Sequence, residues 1–187
     1  MICLPPASNS QARRAIAALS LRGLIRLVSE IDDHGPISRR RGSLQAAFDD
    51  LSTDQLRLAI DRARTLDLVD GDEDEEVRYQ LTDSGRGLAE VYDTAARWAR
   101  THQFPTAASD FVTRVQHTLD LLGHTPTRGG DGSGIPVTGG AVLDGEAIAA
   151  LNGPHSVLTA WLQAHAHPLP RMPFDSCRAA DEMEIAA

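Results

Sequence analysis

A mainly α-helical fold carrying one small β-hairpin is predicted by three features of the sequence. Apolar residues recur at three- and four-residue intervals through most of the chain, the signature of helices buried on one face. Period-two alternation is confined to Val77-Arg78-Tyr79-Gln80-Leu81, which reads as a single return strand. Clusters of Gly, Pro and acidic residues punctuate the periodic segments. The 187 residues, 42% of them hydrophobic, suffice for one ordinary domain or two small ones.

The first helix is predicted over residues 12–31, where Ile16, Leu19, Leu24, Leu27, Val28 and Ile31 share a stripe, with Ser8 or Ser10 as cap and Gly35-Pro36 closing the far end. Residues 37–41 are long enough only for a strand or an extended connector, after which Ser43 caps a second helix over 44–49. Ser52 or Thr53 caps a third, whose narrow stripe is Leu56, Ala59, Ile60 and Ala63. Two short strands, around 66–69 and 77–81, enclose an acidic tip and make the hairpin. A longer helix over 87–100 follows, with Leu88, Val91, Tyr92, Ala95 and Ala99 inward and Trp98 at the margin, until Pro105 ends it.

Beyond it come a helix over 110–122, a flexible Gly-, Thr- and Pro-rich linker over 123–140, two short helices over 147–151 and 156–165, and a tail from Pro168 with little fixed structure. This divides the chain into a first unit, 1–105, and a helical extension, 106–187.

Composition removes several chemistries. All 18 basic residues are arginines, so neither a Schiff-base lysine nor a complete Walker A loop exists. The series Gly130, Gly132, Gly134 lacks the preceding strand and following helix of a phosphate loop. No nucleophile-elbow spacing is present, and no enzyme is expected. His155, His165 and His167 have no cysteine or carboxylate completing a zinc set, and a calcium loop starting at Asp70 fails with Glu75 at its glycine position and Leu81 at its glutamate position. Neither metal nor cofactor is expected. No apolar run reaches the roughly 18 to 20 residues of a membrane span, and Cys3 and Cys177 read as free thiols, so a cytoplasmic protein without a membrane partner is expected.

The net charge of -8 divides into -3 over residues 1–105 (14 Arg against 17 Asp plus Glu) and -5 over 106–187 (4 against 9). Basic character therefore concentrates in the first unit.

Helix, short strand, helix, helix, hairpin is the element order of a winged helix-turn-helix, in which the third helix enters the major groove of DNA and the hairpin, or wing, reaches the flanking backbone. On a helical wheel the third helix turns Asp54, Leu58, Asp61 and Thr65 outward, flanked by Gln55, Arg57 and Arg62, with Thr53 at its start. Gln55 suits adenine, Arg57 or Arg62 guanine or phosphate, and Asp54 only cytosine. Arg39, Arg40 and Arg41, beside Ser43, form the densest positive cluster and would anchor phosphates without reading sequence; Arg78 would do so from the returning wing strand.

The run Tyr79-Gln80-Leu81-Thr82-Asp83-Ser84-Gly85-Arg86 and the helix ending Ala95-Ala96-Arg97-Trp98-Ala99-Arg100 resemble HxlR-type winged helix-turn-helix regulators, relatives of the MarR and PadR groups, over residues 20–102. The resemblance implies a bacterial homodimeric transcriptional regulator that binds pseudo-palindromic operator DNA and responds to a small-molecule effector. It implies that Leu88, Val91, Tyr92, Ala95, Trp98 and Phe104 form a dimer interface or effector pocket. It also brings in Cys3 as a redox sensor, although no basic residue stands beside Cys3 to activate the thiol. The chain departs from the family at the wing, where Asp70, Asp72, Glu73, Asp74, Glu75 and Glu76 put six carboxylates where phosphate contacts belong. Two alternatives stand beside the regulator: a winged-helix protein-interaction module, an adaptor or antagonist using its acidic wing, and a ligand sensor that has lost DNA contact.

Overall fold

The computed structural model describes residues 6–38, 40–71, 78–124 and 143–165. Along these run α1 (Pro6–Leu19), α2 (Arg22–His34), β1 (Ile37–Ser38), α3 (Arg41–Ala47), α4 (Thr53–Thr65), β2 (Val69–Gly71), β3 (Arg78–Leu81), α5 (Asp83–Thr101), α6 (Phe111–His124), α7 (Gly145–Ala150) and α8 (Asn152–Ala164). The fold is mainly helical with one small antiparallel sheet of order β1-β3-β2. Ile37 faces Tyr79 on one side of β3, and Val69 faces Leu81 on the other. Residues 72–77 and 125–142, which take in most of the expected linker, lie outside the described residues, as do Cys3, Arg39, His167, Cys177 and the expected tail.

The single helix expected over 12–31 is two. The apolar stripe steps by five residues from Leu19 to Leu24, the backbone leaves the helix at Leu21 within that step, and α2 restarts without a side-chain cap. Three hydrogen bonds hold the break. Ser20 Oγ donates to the Ile16 carbonyl at 2.8 Å, the Tyr92 hydroxyl to the Leu19 carbonyl at 2.7 Å, and the Gln116 amide to the Ser20 carbonyl at 2.8 Å. The carbonyls that α1 leaves open at its end are thus satisfied by α5 and α6, which is how a helix can stop without glycine or proline.

Other boundaries shift for local reasons. α3 begins at Arg41 instead of Leu44, with Arg40 and not Ser43 at its N-cap position. α5 begins at Asp83 because the Thr82 hydroxyl accepts from the Gly85 N–H. Gly123 and His124, expected in the linker, finish α6. α8 starts at Asn152, since Pro154 falls within its first turn, where a missing N–H costs nothing.

α5 forms the axis, with α2, α6 and α8 packed around it and α1 laid on α6. One continuous core runs from Ile16 to Trp161, joining residues on both sides of 105. Among the described residues no helix is long and apolar enough to cross a membrane.

Candidate nucleic-acid interface

α4 is the element whose sequence and setting most resemble a reading surface. Ser52 and Gln55 form a reciprocal capping box: the Gln55 N–H donates to Ser52 Oγ at 3.2 Å, and the Ser52 N–H to Gln55 Oε1 at 2.9 Å. Leu56, Ala59 and Ala63 bury the inner face. α2 crosses this face at Gly23, where a Cβ would lie 3.0 Å from the Ala59 Cβ and 3.1 Å from the Gln55 carbonyl. The close approach seats α4 firmly and leaves Thr53, Asp54, Gln55, Arg57, Leu58, Asp61, Arg64 and Thr65 exposed.

On that face Arg57 Nη1 lies 3.5 Å from Asp54 Oδ1, and the Thr65 hydroxyl turns back to the Asp61 carbonyl. Two aspartates offset the two exposed arginines, so the face is close to charge-neutral. Leu58, half exposed, is the one large hydrophobic side chain among the described residues that stands in solvent. Arg64 stacks 5.6 Å from the Tyr79 ring centroid and bridges α4 to the hairpin. This link was not foreseen, although Arg64 and the strand residue Tyr79 were both visible in the sequence.

Two assigned readers change role. Arg62 is only 6% exposed, and loss of water lowers its pKa from the ordinary value, with no carboxylate among the described residues offsetting that cost. It packs in the shoulder of α4 and is not offered to a ligand. Gln55 remains exposed, but its carbonyl oxygen is committed to the cap, leaving only its NH2 group for a base.

Of the proposed phosphate anchors, Arg40 is exposed and its N–H donates to Ser38 Oγ at 3.3 Å. Arg39 lies outside the described residues, as do the side chains of Arg41 and Ser43. Arg78 is exposed on β3, opposite Ser38. α4, Arg40 and the base of the hairpin therefore come from adjoining parts of the fold.

Beside α4, a charged network ties α2 to the turn after α3. Arg26 bonds Glu30 and lies 3.4 Å from Asp50, which also meets Arg22 at 3.5 Å. Desolvation pulls the Arg26 guanidinium down, but the hydrogen bond and charge of Glu30, with those of Asp50, outweigh it and hold its pKa above the ordinary value. These arginines are engaged in holding the turn after α3 against α2.

The six residues assigned to a dimer interface or effector pocket lie elsewhere. Leu88, Val91, Tyr92, Ala95, Trp98 and Phe104 are all buried within one chain. Tyr92 is consumed by its bond to Leu19, and burial drives its phenol pKa well up. The Trp98 indole donates to the Ala147 carbonyl at 3.1 Å and meets Phe104 edge-on. The chain's own α6, α7 and α8 occupy the surface these residues would have presented. Among the described residues there is no cluster of three or more metal-ligating side chains.

No family model, curated protein or solved structure matches the chain.

Proposed function

We propose that the chain is a DNA-binding transcriptional regulator of winged helix-turn-helix type, with α4 as reading helix and the β2–β3 hairpin as wing. The observation that carries this reading is the setting of α4. It is capped, backed on one side by α2, braced to the wing through Arg64, and exposed along the whole of its other side. A rigid helix with a free polar face is what major-groove recognition requires. Arg57 and the Gln55 NH2 group would offer base contacts, Leu58 would suit a thymine methyl, and the exposed Arg40 and Arg78 would serve as phosphate contacts.

A homodimer and a small-molecule effector belong to the same reading. The dimer contact would have to use surfaces other than the six buried residues of α5 and its C-terminal end. The cytoplasm is the matching location.

A second reading is favoured by one feature, the charge balance of the α4 face. With Asp54 and Asp61 beside Leu58 and the acidic residues 70–76 at the hairpin, this end of the molecule also suits a basic protein partner. Fluorescence anisotropy against a duplex selected from a random pool, across roughly 50 to 200 mM salt, separates the two. The regulator binds its selected duplex far more tightly than a scrambled one and loses affinity steeply with salt. Absence of selective binding at the low-salt end moves the assignment to the protein-interaction module.

A further inference from the structure

The base of the hairpin is a knot of backbone contacts. The Thr82 hydroxyl donates to the Asp67 carbonyl at 2.6 Å, and the Thr82 N–H to the Leu68 carbonyl at 3.0 Å. Arg86 Nη1 donates to the Leu81 carbonyl at 2.8 Å. Gly85 lies so close to Leu68 that a Cβ would sit 2.1 Å from its carbonyl oxygen. The exit of α4, the ends of both hairpin strands and the first turn of α5 are therefore tied to one another.

From the far end of the chain, Trp161 of α8 reaches this knot. Its buried indole N–H donates to the Ser84 carbonyl at 3.0 Å, 77 residues away in sequence. The ring lies over Gly87, where a Cβ would meet indole Cδ1 at 3.1 Å, so the absence of a side chain there is what admits it. His165 stacks on Trp161 with centroids 4.8 Å apart, and its Nδ1 lies 2.9 Å from the Trp161 carbonyl. The Ser84 hydroxyl is buried beside this contact and has no hydrogen-bond partner among the described residues. The indole bond is thus a buried polar link from α8 to this turn.

We propose that Trp161 is a positioning residue for the wing: α8 acts as a strap that fixes the hairpin base, and through it sets how well the wing engages DNA flanking the segment read by α4. The proposal rests on the regulator reading for its DNA half. Its mechanical half stands on the contacts alone.

Trp161→Phe, which keeps an aromatic ring and removes the N–H, tests it in two ways. Amide hydrogen exchange over Val69–Gly71 and Arg78–Leu81 is expected to quicken about five-fold, the equivalent of one net hydrogen bond, while α2 and α6 keep their rates. His165→Ala, which leaves the indole bond in place, is expected to give the same pattern more weakly. Affinity for a selected duplex is expected to fall by about the same factor, but not for a duplex trimmed of its flanks. Exchange that is unchanged, or faster throughout the chain, overturns the strap. Equal loss of affinity on long and trimmed duplexes overturns the action through the wing. If the wild-type protein selects no duplex, the regulator reading falls and takes the DNA half with it, while the exchange pattern still decides the mechanical half.

Discussion

Gly85→Ala should be among the most damaging single-methyl additions in the described part of the chain. The added Cβ would stand 2.1 Å from the Leu68 carbonyl oxygen and 3.1 Å from Leu81 Cδ2. The first obstacle is backbone, so relief requires moving Leu68, and that stretches the Thr82 bonds to Leu68 and Asp67. Overpacking costs about 1 to 3 kcal/mol, and a backbone obstacle places this case near 3. Alanine's helix preference returns at most about 1 kcal/mol. The net loss of about 2 kcal/mol lowers Tm by roughly 4 to 8 °C in a chain of this size. Gly153→Ala is the control, because nothing lies within 4 Å of its Cβ position in α8. The same methyl there should raise stability by up to about 1 kcal/mol. Urea unfolding of the three proteins decides the matter. If Gly85→Ala is as stable as wild type, the close packing at the hairpin base does not exist.

Arg62→Met should hold or raise Tm while leaving any DNA affinity unchanged, since it removes an uncompensated buried charge, whereas Arg57→Ala should weaken DNA and spare stability; calorimetry and anisotropy on both variants check the exchange of roles. Tyr92→Phe strands the Leu19 carbonyl and should cost about 1 to 2 kcal/mol in chemical denaturation, with faster amide exchange at the end of α1. Asp93 has its pKa raised by desolvation and by the charges of Asp33 and Asp32. A carboxyl whose folded pKa lies above its unfolded value destabilises the protein above the folded pKa, and the penalty disappears below the unfolded one. Asp93→Asn should therefore gain a few tenths of a kcal/mol at pH 7, a small figure because the group is exposed and screened, and nothing near pH 3; an equal gain at both values would refute the charge origin.

The elements that were legible in the sequence are those whose signals are local. α4 announced itself by a cap and a narrow stripe, and the hairpin by its alternation about an acidic tip. The break between α1 and α2 had one local sign, the five-residue step from Leu19 to Leu24, about 140° out of phase on a helix, while the groups that stabilise it, Tyr92 and Gln116, lie far along the chain. Arg62 was misplaced because a wheel shows angle and not what covers the margin of the helix. For α5 a usable signal existed. Leu88, Ala89, Val91, Tyr92, Ala95, Ala96, Trp98 and Ala99 sweep an arc much wider than one stripe, which marks a helix surrounded by others. The stripe residues themselves were assigned to a dimer interface or effector pocket on resemblance alone, whereas helices of the same chain cover them.

The break after α1 also bears on the order in which the chain can fold as it is made. α1 ends on bonds to residues that lie 73 and 96 positions further along. At roughly 5 to 20 residues per second, the ribosome delivers Gln116 about 5 to 20 s after Ser20. Through that interval α2 and α4 can already gather, since both are complete long before Gln116, while Ile16 and Leu19 have no α6 to rest upon. The end of α1 thus docks later than α2 and α4, which follow it, and the side bearing Ile16 and Leu19 stays uncovered until α6 arrives.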